Sequence, residues 1–193
     1  MINDFSVIIF GYLIGSIPFG YILTKIFLKK DIRDIGSGNI GATNALRTGN
    51  KIIGYLTLTL DIFKALIPIL YIKLYNYDLI LITSLSVFIG HVFPIWLKFK
   101  GGKGVATYLG ILVIINPMAS LLFISTWLLT YIIFKFSSLS SIIGSLMIPI
   151  YIYIFEGINN VYFFIIMFVL IFYTHRENIK RLINKEENKT KIY

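Results

Sequence analysis

The chain has 193 residues, 57% of them hydrophobic and 14% charged, and carries a net charge of +9 from 18 Lys and Arg against 9 Asp and Glu. A soluble domain carries roughly 25% charged residues, so a soluble globule, a nucleic-acid-binding protein and a disordered chain are all excluded. At about 20 apolar residues for each crossing of a ~30 Å hydrocarbon core, the length allows about five to eight spans and no separate soluble domain.

The N-terminus, Met1-Ile2-Asn3-Asp4, lacks the positive region of a signal peptide, and no small-x-small cleavage site follows. The first apolar run, 5–28, therefore reads as a retained span. Residues 29–51 are polar and glycine-rich and belong outside the hydrocarbon. A second run, 52–74, contains Asp61, Lys64 and Pro68, and a third covers 79–96 before the basic stretch 98–104. Apolar sequence then continues over 105–134, broken by Asn116-Pro117, and over 139–174, broken by Glu156-Gly157-Ile158-Asn159-Asn160. Residues 184–193 read as a flexible tail.

The expected fold is all-α, a single polytopic membrane domain over 1–193. Splitting both long stretches gives seven transmembrane helices, splitting neither gives five, and splitting one gives six. The connection 29–51 holds five basic residues (Lys29, Lys30, Arg33, Arg47, Lys51), 98–103 holds three, and the tail six (Arg176, Lys180, Arg181, Lys185, Lys189, Lys191). These share a side only when the span count is odd, and the positive-inside rule makes that side cytoplasmic, with the N-terminus outside. Seven is preferred over five because Glu156, Asn159 and Asn160 are costly at mid-membrane.

Three polar segments thus face the cytoplasm. In Ser37-Gly38-Asn39-Ile40-Gly41-Ala42-Thr43-Asn44, small residues let backbone N–H groups approach an anion, and Arg47 adds a planar fork suited to phosphate. In Gly90-His91-Val92-Phe93-Pro94 followed by Phe99-Lys100-Gly101-Gly102-Lys103-Gly104, two lysines flank a glycine pair between two helices. This is no Walker loop, since Gly104 stands where Ser or Thr is required. His91 by itself reads as a packed histidine near a helix end. The third segment begins at His175, and helical spacing sets His175, Asn178 and Leu182 on one face. Each segment also has a plainer reading, as a capped connecting loop, topological lysines or an amphipathic tail on headgroups. Asp61 and Lys64 share a helical face, as a structural bridge or as part of a site.

With no cysteine, disulfides, thiolate metal sites and cysteine nucleophiles are excluded. No acid follows either histidine at His-x4-Asp spacing, and no Gly-x-Ser-x-Gly elbow exists. The residues alone lead to a multispanning protein with a basic, glycine-rich pocket for a phosphorylated small molecule. A transporter of organic phosphate would also use such loops, but it usually carries paired repeats, and none is visible.

Taken together, the three segments resemble the bacterial acyl-phosphate:glycerol-3-phosphate acyltransferase family (PlsY). The resemblance covers the whole chain. It runs through the first segment, through the second as far as Val105-Ala106-Thr107, and through His175, Asn178-Ile179 and Arg181-Leu182. Thr174 stands where the family usually has Arg, and Ala65 follows Asp61-x-x-Lys64 where Gly is usual. The resemblance implies transfer of a fatty acyl group from acyl-phosphate to the 1-hydroxyl of glycerol 3-phosphate. The products would be lysophosphatidic acid and phosphate, formed at the cytoplasmic face of a bacterial cell membrane during phospholipid synthesis. It implies no cofactor and no metal, with the bilayer and the upstream acyl-phosphate-forming enzyme as partners and no nucleic acid. By resemblance Ser37, Arg47, Lys103 and His175 are the catalytic set, the first three holding phosphate. Asn39, Thr43 and Asn44 shape the first loop, His175 and Asn178 orient glycerol 3-phosphate, and His91, Lys100 and Arg181 complete the substrate contacts. Two groups can take the hydroxyl proton, His175 or the substrate's own phosphate, and the lack of a carboxylate–His pair in the sequence favours the second.

Overall fold

The computed structural model describes residues 4–189. Met1, Ile2 and Asn3, and in the tail Lys191 with its neighbours, lie outside the described residues, as do the side chains of Asn159 and Asn160. All regular structure among the described residues is helical. The chain packs as two compact units that meet in sequence between Ile115 and Asn116.

The first unit opens with α1 (Asp4–Gly15) and α2 (Phe19–Leu28). The apolar run 5–28 is therefore broken, because Pro18 has no N–H to continue the ladder. A short helix α3 (Ala42–Leu46) sits in the polar connection, and α4 (Lys51–Tyr75) follows it. At 25 residues α4 is about 37 Å long, enough to cross a bilayer with Pro68 inside it. Its N-terminus is capped by the Asn50 side chain, which accepts from the Ile53 N–H at 3.2 Å. α5 (Ile80–Val92) packs on α1, and α6 (Val105–Ile115) packs on α4. Small residues make both contacts close: Gly15 and Gly90 bring the α1 and α5 backbones together, and Gly110 lies against the Ile62 carbonyl.

The second unit holds α7 (Pro117–Phe134), α8 (Ser137–Glu156), α9 (Ile158–Thr174) and α10 (Arg176–Ile183). Both polar interruptions are helix breaks. Asn116 caps α7 by accepting from the Ala119 N–H, with Pro117 in the first turn. Gly157, at φ 85 and ψ 174, occupies a region open essentially to glycine and divides α8 from α9. The Asn116 side chain donates to Glu156, so the two breaks lie at the same end of the α7–α8 hairpin. Phe123, Ile148, Ile152, Val161, Phe164, Met167 and Ile171 are buried in this unit.

Among the described residues, five helical stretches are long and apolar enough to cross a membrane: Asp4–Leu28, Lys51–Tyr75, Tyr77–Leu97, Pro117–Phe134 and Ser137–Glu156. Two further apolar helical stretches, Val105–Ile115 and Val161–Thr174, are shorter. The described residues thus hold seven apolar segments, of which five reach across by length and composition. Large side chains such as Ile133, Phe155 and Leu74 stand outward, as a lipid-facing surface requires.

Candidate active site

The first loop is organised around one amide. Asn44 is 2% exposed. Its Oδ1 accepts the Ser37 N–H at 3.0 Å, while its Nδ2 is shared among the carbonyls of Ile32, Ile35 and Asn39 at 2.8–3.0 Å. Asn39 Oδ1 accepts the Gly41 N–H at 2.9 Å and so opens α3. These bonds leave the loop shaped from within and the Ser37 side chain at the surface. Arg47 caps the C-terminal end of α3, exposed, its Cδ lying over Gly36, where a methyl would come within 2.8 Å of it. No described carboxylate pairs with its guanidinium. Arg33, by contrast, is tied to Asp31, which the guanidinium pulls down to about 2.

The second loop leaves α5 through a turn at Ile95–Leu97 and then places Lys98 and Phe99 at φ 52 and 61. Two successive non-glycine residues in the left-handed region cost on the order of 1–3 kcal/mol each. The chain bears this strain to double back: the Gly101 N–H donates to the Val92 carbonyl at 3.0 Å and the Gly102 N–H to that of His91 at 3.1 Å. A side chain at Gly102 would enter the His91 imidazole, and one at Gly104 the Phe88 ring. The loop therefore lies flat on α5 and delivers Lys103, half-buried, to the start of α6, with Lys100 exposed beside it. One apolar cluster of Ile32, Ile40, Ala45, Ile53 and Leu97 underlies both loops. Beside them an open groove of about 620 Å³ runs past Ile17, Pro18, Tyr21, Ile22, Trp96 and Leu97, with Arg33 and Lys98 on its rim.

The third segment lies in the second unit. The chain turns at His175 between α9 and α10, and its ring is 2% exposed. Nδ1 lies 2.8 Å from the Ile171 carbonyl. A carbonyl only accepts, so Nδ1 carries a proton. Asn178 Nδ2 donates to Glu187 Oε1 at 2.6 Å, Ser138 Oγ to the same oxygen at 2.7 Å, and Arg181 Nε to Oε2 at 2.7 Å. Burial alone would raise the Glu187 carboxyl, but the donors on Ser138, Arg181 and Asn178 outweigh it and hold the carboxyl below its ordinary value.

The family model for glycerol-3-phosphate acyltransferase matches residues 5–185. The chain is 72% identical over 184 residues to a glycerol-3-phosphate acyltransferase of Pelagibacter ubique (strain HTCC1062), with 95% of each chain covered. It is 46% identical over 182 residues to one of Brucella canis, covering 94% of this chain and 90% of that one. Its structure is similar to a crystal structure of PlsY, an integral membrane glycerol 3-phosphate acyltransferase, in the glycerol 3-phosphate form. The TM-score is 0.90 at 36% identity, over 96% of this chain and 94% of that one. The chain belongs to the glycerol-3-phosphate acyltransferase family.

Within this acyltransferase, the first unit gathers Ser37, Asn39, Thr43, Asn44, Arg47, His91, Lys100 and Lys103, while His175, Asn178 and Arg181 stand in the second. Asn44 and His91 are both buried, with their polar atoms turned inward. Thr174, the departure from the family pattern, returns its hydroxyl to the Ile171 carbonyl, and Arg176 stacks on Tyr173 with its guanidinium 4.6 Å from the ring centroid. Glu187 was missed by sequence reasoning. It lies in the segment expected to be a flexible tail, which at this residue is anchored by three donors. Its signal was faint: one of two adjacent acids, six residues beyond Arg181, among lysines and asparagines.

Proposed function

We propose that this acyltransferase takes its acyl group from acyl-phosphate and transfers it to the 1-hydroxyl of glycerol 3-phosphate, releasing 1-acyl-glycerol 3-phosphate and inorganic phosphate. The observation that carries the reading is the pair of glycine-rich basic loops built on one apolar cluster beside an apolar groove. Such a surface suits a ligand with a phosphate head and a hydrocarbon tail. Acyl-phosphate is a mixed anhydride, already activated, so positioning and charge stabilisation suffice and no covalent nucleophile is required.

In this reading Ser37, Arg47 and Lys103 hold phosphate, with Asn39, Thr43 and Asn44 keeping the first loop in shape. His175 and Asn178 orient glycerol 3-phosphate, and Lys100 and Arg181 supplement the charge. The hydroxyl oxygen adds to the acyl carbon, the carbon–oxygen bond to phosphate breaks, and phosphate departs with the electron pair. The hydroxyl proton goes either to Nε2 of His175 or to the phosphate of glycerol 3-phosphate. The second route is favoured, because the partner of Nδ1 is a neutral carbonyl rather than a carboxylate that would stabilise an imidazolium. The basic loops face the cytoplasm of a bacterial cell membrane, the product enters phospholipid synthesis, and the enzyme that makes acyl-phosphate is the natural upstream partner there.

The test is reconstitution in vesicles with labelled glycerol 3-phosphate. Acylated product and phosphate are expected in equal amounts from acyl-phosphate, and no product from a thioester donor. Activity with the thioester alone, or flux of glycerol 3-phosphate without acylation, refutes the proposal.

A further inference from the structure

Beneath the second loop lies a buried cluster that the proposed chemistry does not use. Asp61 and Lys64 on α4 pair at 2.8 Å with both side chains almost wholly buried. Lys64 Nζ also donates to the Ile17 carbonyl at 2.8 Å, at the break between α1 and α2. On the other side, Asp61 Oδ1 faces His91 Nδ1 across 3.7 Å, and that Nδ1 makes no hydrogen bond among the described residues. The opposite edge of the same ring, Nε2, is the first atom that a methyl on Gly102 would strike. A charge pair this deep in apolar surroundings is costly, and apolar side chains of the same volume often stabilise as well or better. Stability alone therefore does not account for it.

We infer that His91 is a positioning residue for the backbone of Gly102 and Lys103, and that the Asp61–Lys64 pair holds it in that role. The carboxylate orients the ring through its Nδ1 edge, and the Nε2 edge fixes where Gly102, and with it Lys103, comes to rest. The 3.7 Å separation is too long for a hydrogen bond. In a medium of low dielectric the carboxylate nevertheless favours the tautomer whose N–H points at it. Lys64 neutralises the carboxylate and ties it to the α1–α2 break, so the loop is referenced to three helices. His91, 4% exposed, touches no substrate in this account. The inference rests on the reading of the second loop as a phosphate cradle.

The test uses the full chain purified in detergent, with inorganic phosphate as competing ligand in the acyl-transfer assay. Asparagine places an amide nitrogen near the position of Nδ1, and glutamine places one near Nε2. His91→Gln, which keeps the edge that meets Gly102, is expected to retain kcat/KM within about tenfold, whereas His91→Asn and His91→Leu lose on the order of a hundredfold. The inhibition constant for phosphate should rise in parallel with each loss. On a Lys103→Ala background the same substitutions should add little, since they act through that residue. Equal losses in the three variants, or losses that add in full to Lys103→Ala, overturn the inference. Should the His91 variants not fold, Asp61→Asn/Lys64→Met carries the test with His91 intact. A raised inhibition constant for phosphate is then expected, and an unchanged one overturns the inference. If Lys103→Ala itself keeps normal turnover and normal phosphate inhibition, the reading of the loop as a cradle fails instead, and the two failures are told apart.

Discussion

Gly102→Ala isolates backbone placement from charge, because it adds one methyl and removes no donor. The added carbon overlaps the His91 imidazole, and the ring cannot withdraw freely, being buried against Asp61. The loop must move instead, by a distance on the order of 1 Å, and a misplacement of that size costs about a hundredfold in a positioned reaction. Gly41→Ala is the matched control in the first loop. Its new methyl would meet only Asn39 Oδ1, at an ordinary 3.4 Å, and Gly41 has φ −81, which any residue adopts. Family membership of the two motifs treats these glycines alike, whereas the geometry separates them. Steady-state acyl transfer, with both substrates varied, should show kcat/KM down about a hundredfold for Gly102→Ala and within about threefold for Gly41→Ala. Thermal midpoints should confirm that both variants are folded. A Gly102→Ala enzyme with near-normal kcat/KM refutes the reasoning, since it means the loop has slack above His91.

Arg47→Ala should lower kcat/KM by about ten- to a hundredfold through loss of a charge-assisted contact to phosphate, with Arg47→Lys restoring only part; full activity in Arg47→Ala would leave the residue topological. The Glu187 carboxyl is held low in the fold, so its stabilisation is present above the ordinary carboxyl range and is lost as pH falls through the lowered value. Glu187→Gln should therefore melt earlier than the parent at pH 7, with the gap closing as the pH falls below the ordinary carboxyl range. A pH-independent gap would show that the charge is not the cause. His175→Gln should keep a fraction of turnover and an acidic limb near pH 6, set by the second ionisation of the substrate's phosphate; a flat acidic limb with turnover lost by orders of magnitude would make His175 the base. Single cysteines at Ser37 and Lys100, placed in a chain that has none of its own, should react with impermeant reagents only from the cytoplasmic side, and labelling from outside would reverse the proposed orientation.

Much of the helix pattern is legible in composition, because hydrocarbon demands long apolar runs and every polar interruption must be a break or a cost. Asn116-Pro117 and the segment at Gly157 were readable as breaks for that reason, and each has the cap or the dihedral that its residues prescribe. The break at Pro18 was not. Proline is tolerated in membrane helices whenever neighbours re-satisfy the freed backbone groups, and here the Ile17 carbonyl at the break accepts from Lys64, 47 positions away. No local window contains that partner. The same α4 carries Pro68 without interruption, so proline alone does not decide the outcome.

The candidate site divides in a similar way. Basic residues beside glycines are visible in sequence because phosphate demands them, which is why Arg47 and Lys103 stand out. Whether a polar residue in such a motif faces a ligand or the protein is a question of tertiary partners, and sequence carries it poorly. Asn44 looks like a donor to substrate, yet both ends of its amide are spent on the loop that holds Ser37. His91 stands in a motif with two lysines, yet its ring is turned toward Asp61 and Gly102. The glycines of the second loop follow from this arrangement rather than from flexibility. A backbone laid flat against a histidine and a phenylalanine has no room for Cβ at Gly102 or Gly104, so the spacing Gly101-Gly102-Lys103-Gly104 records the shape of α5 as much as the charge of a ligand.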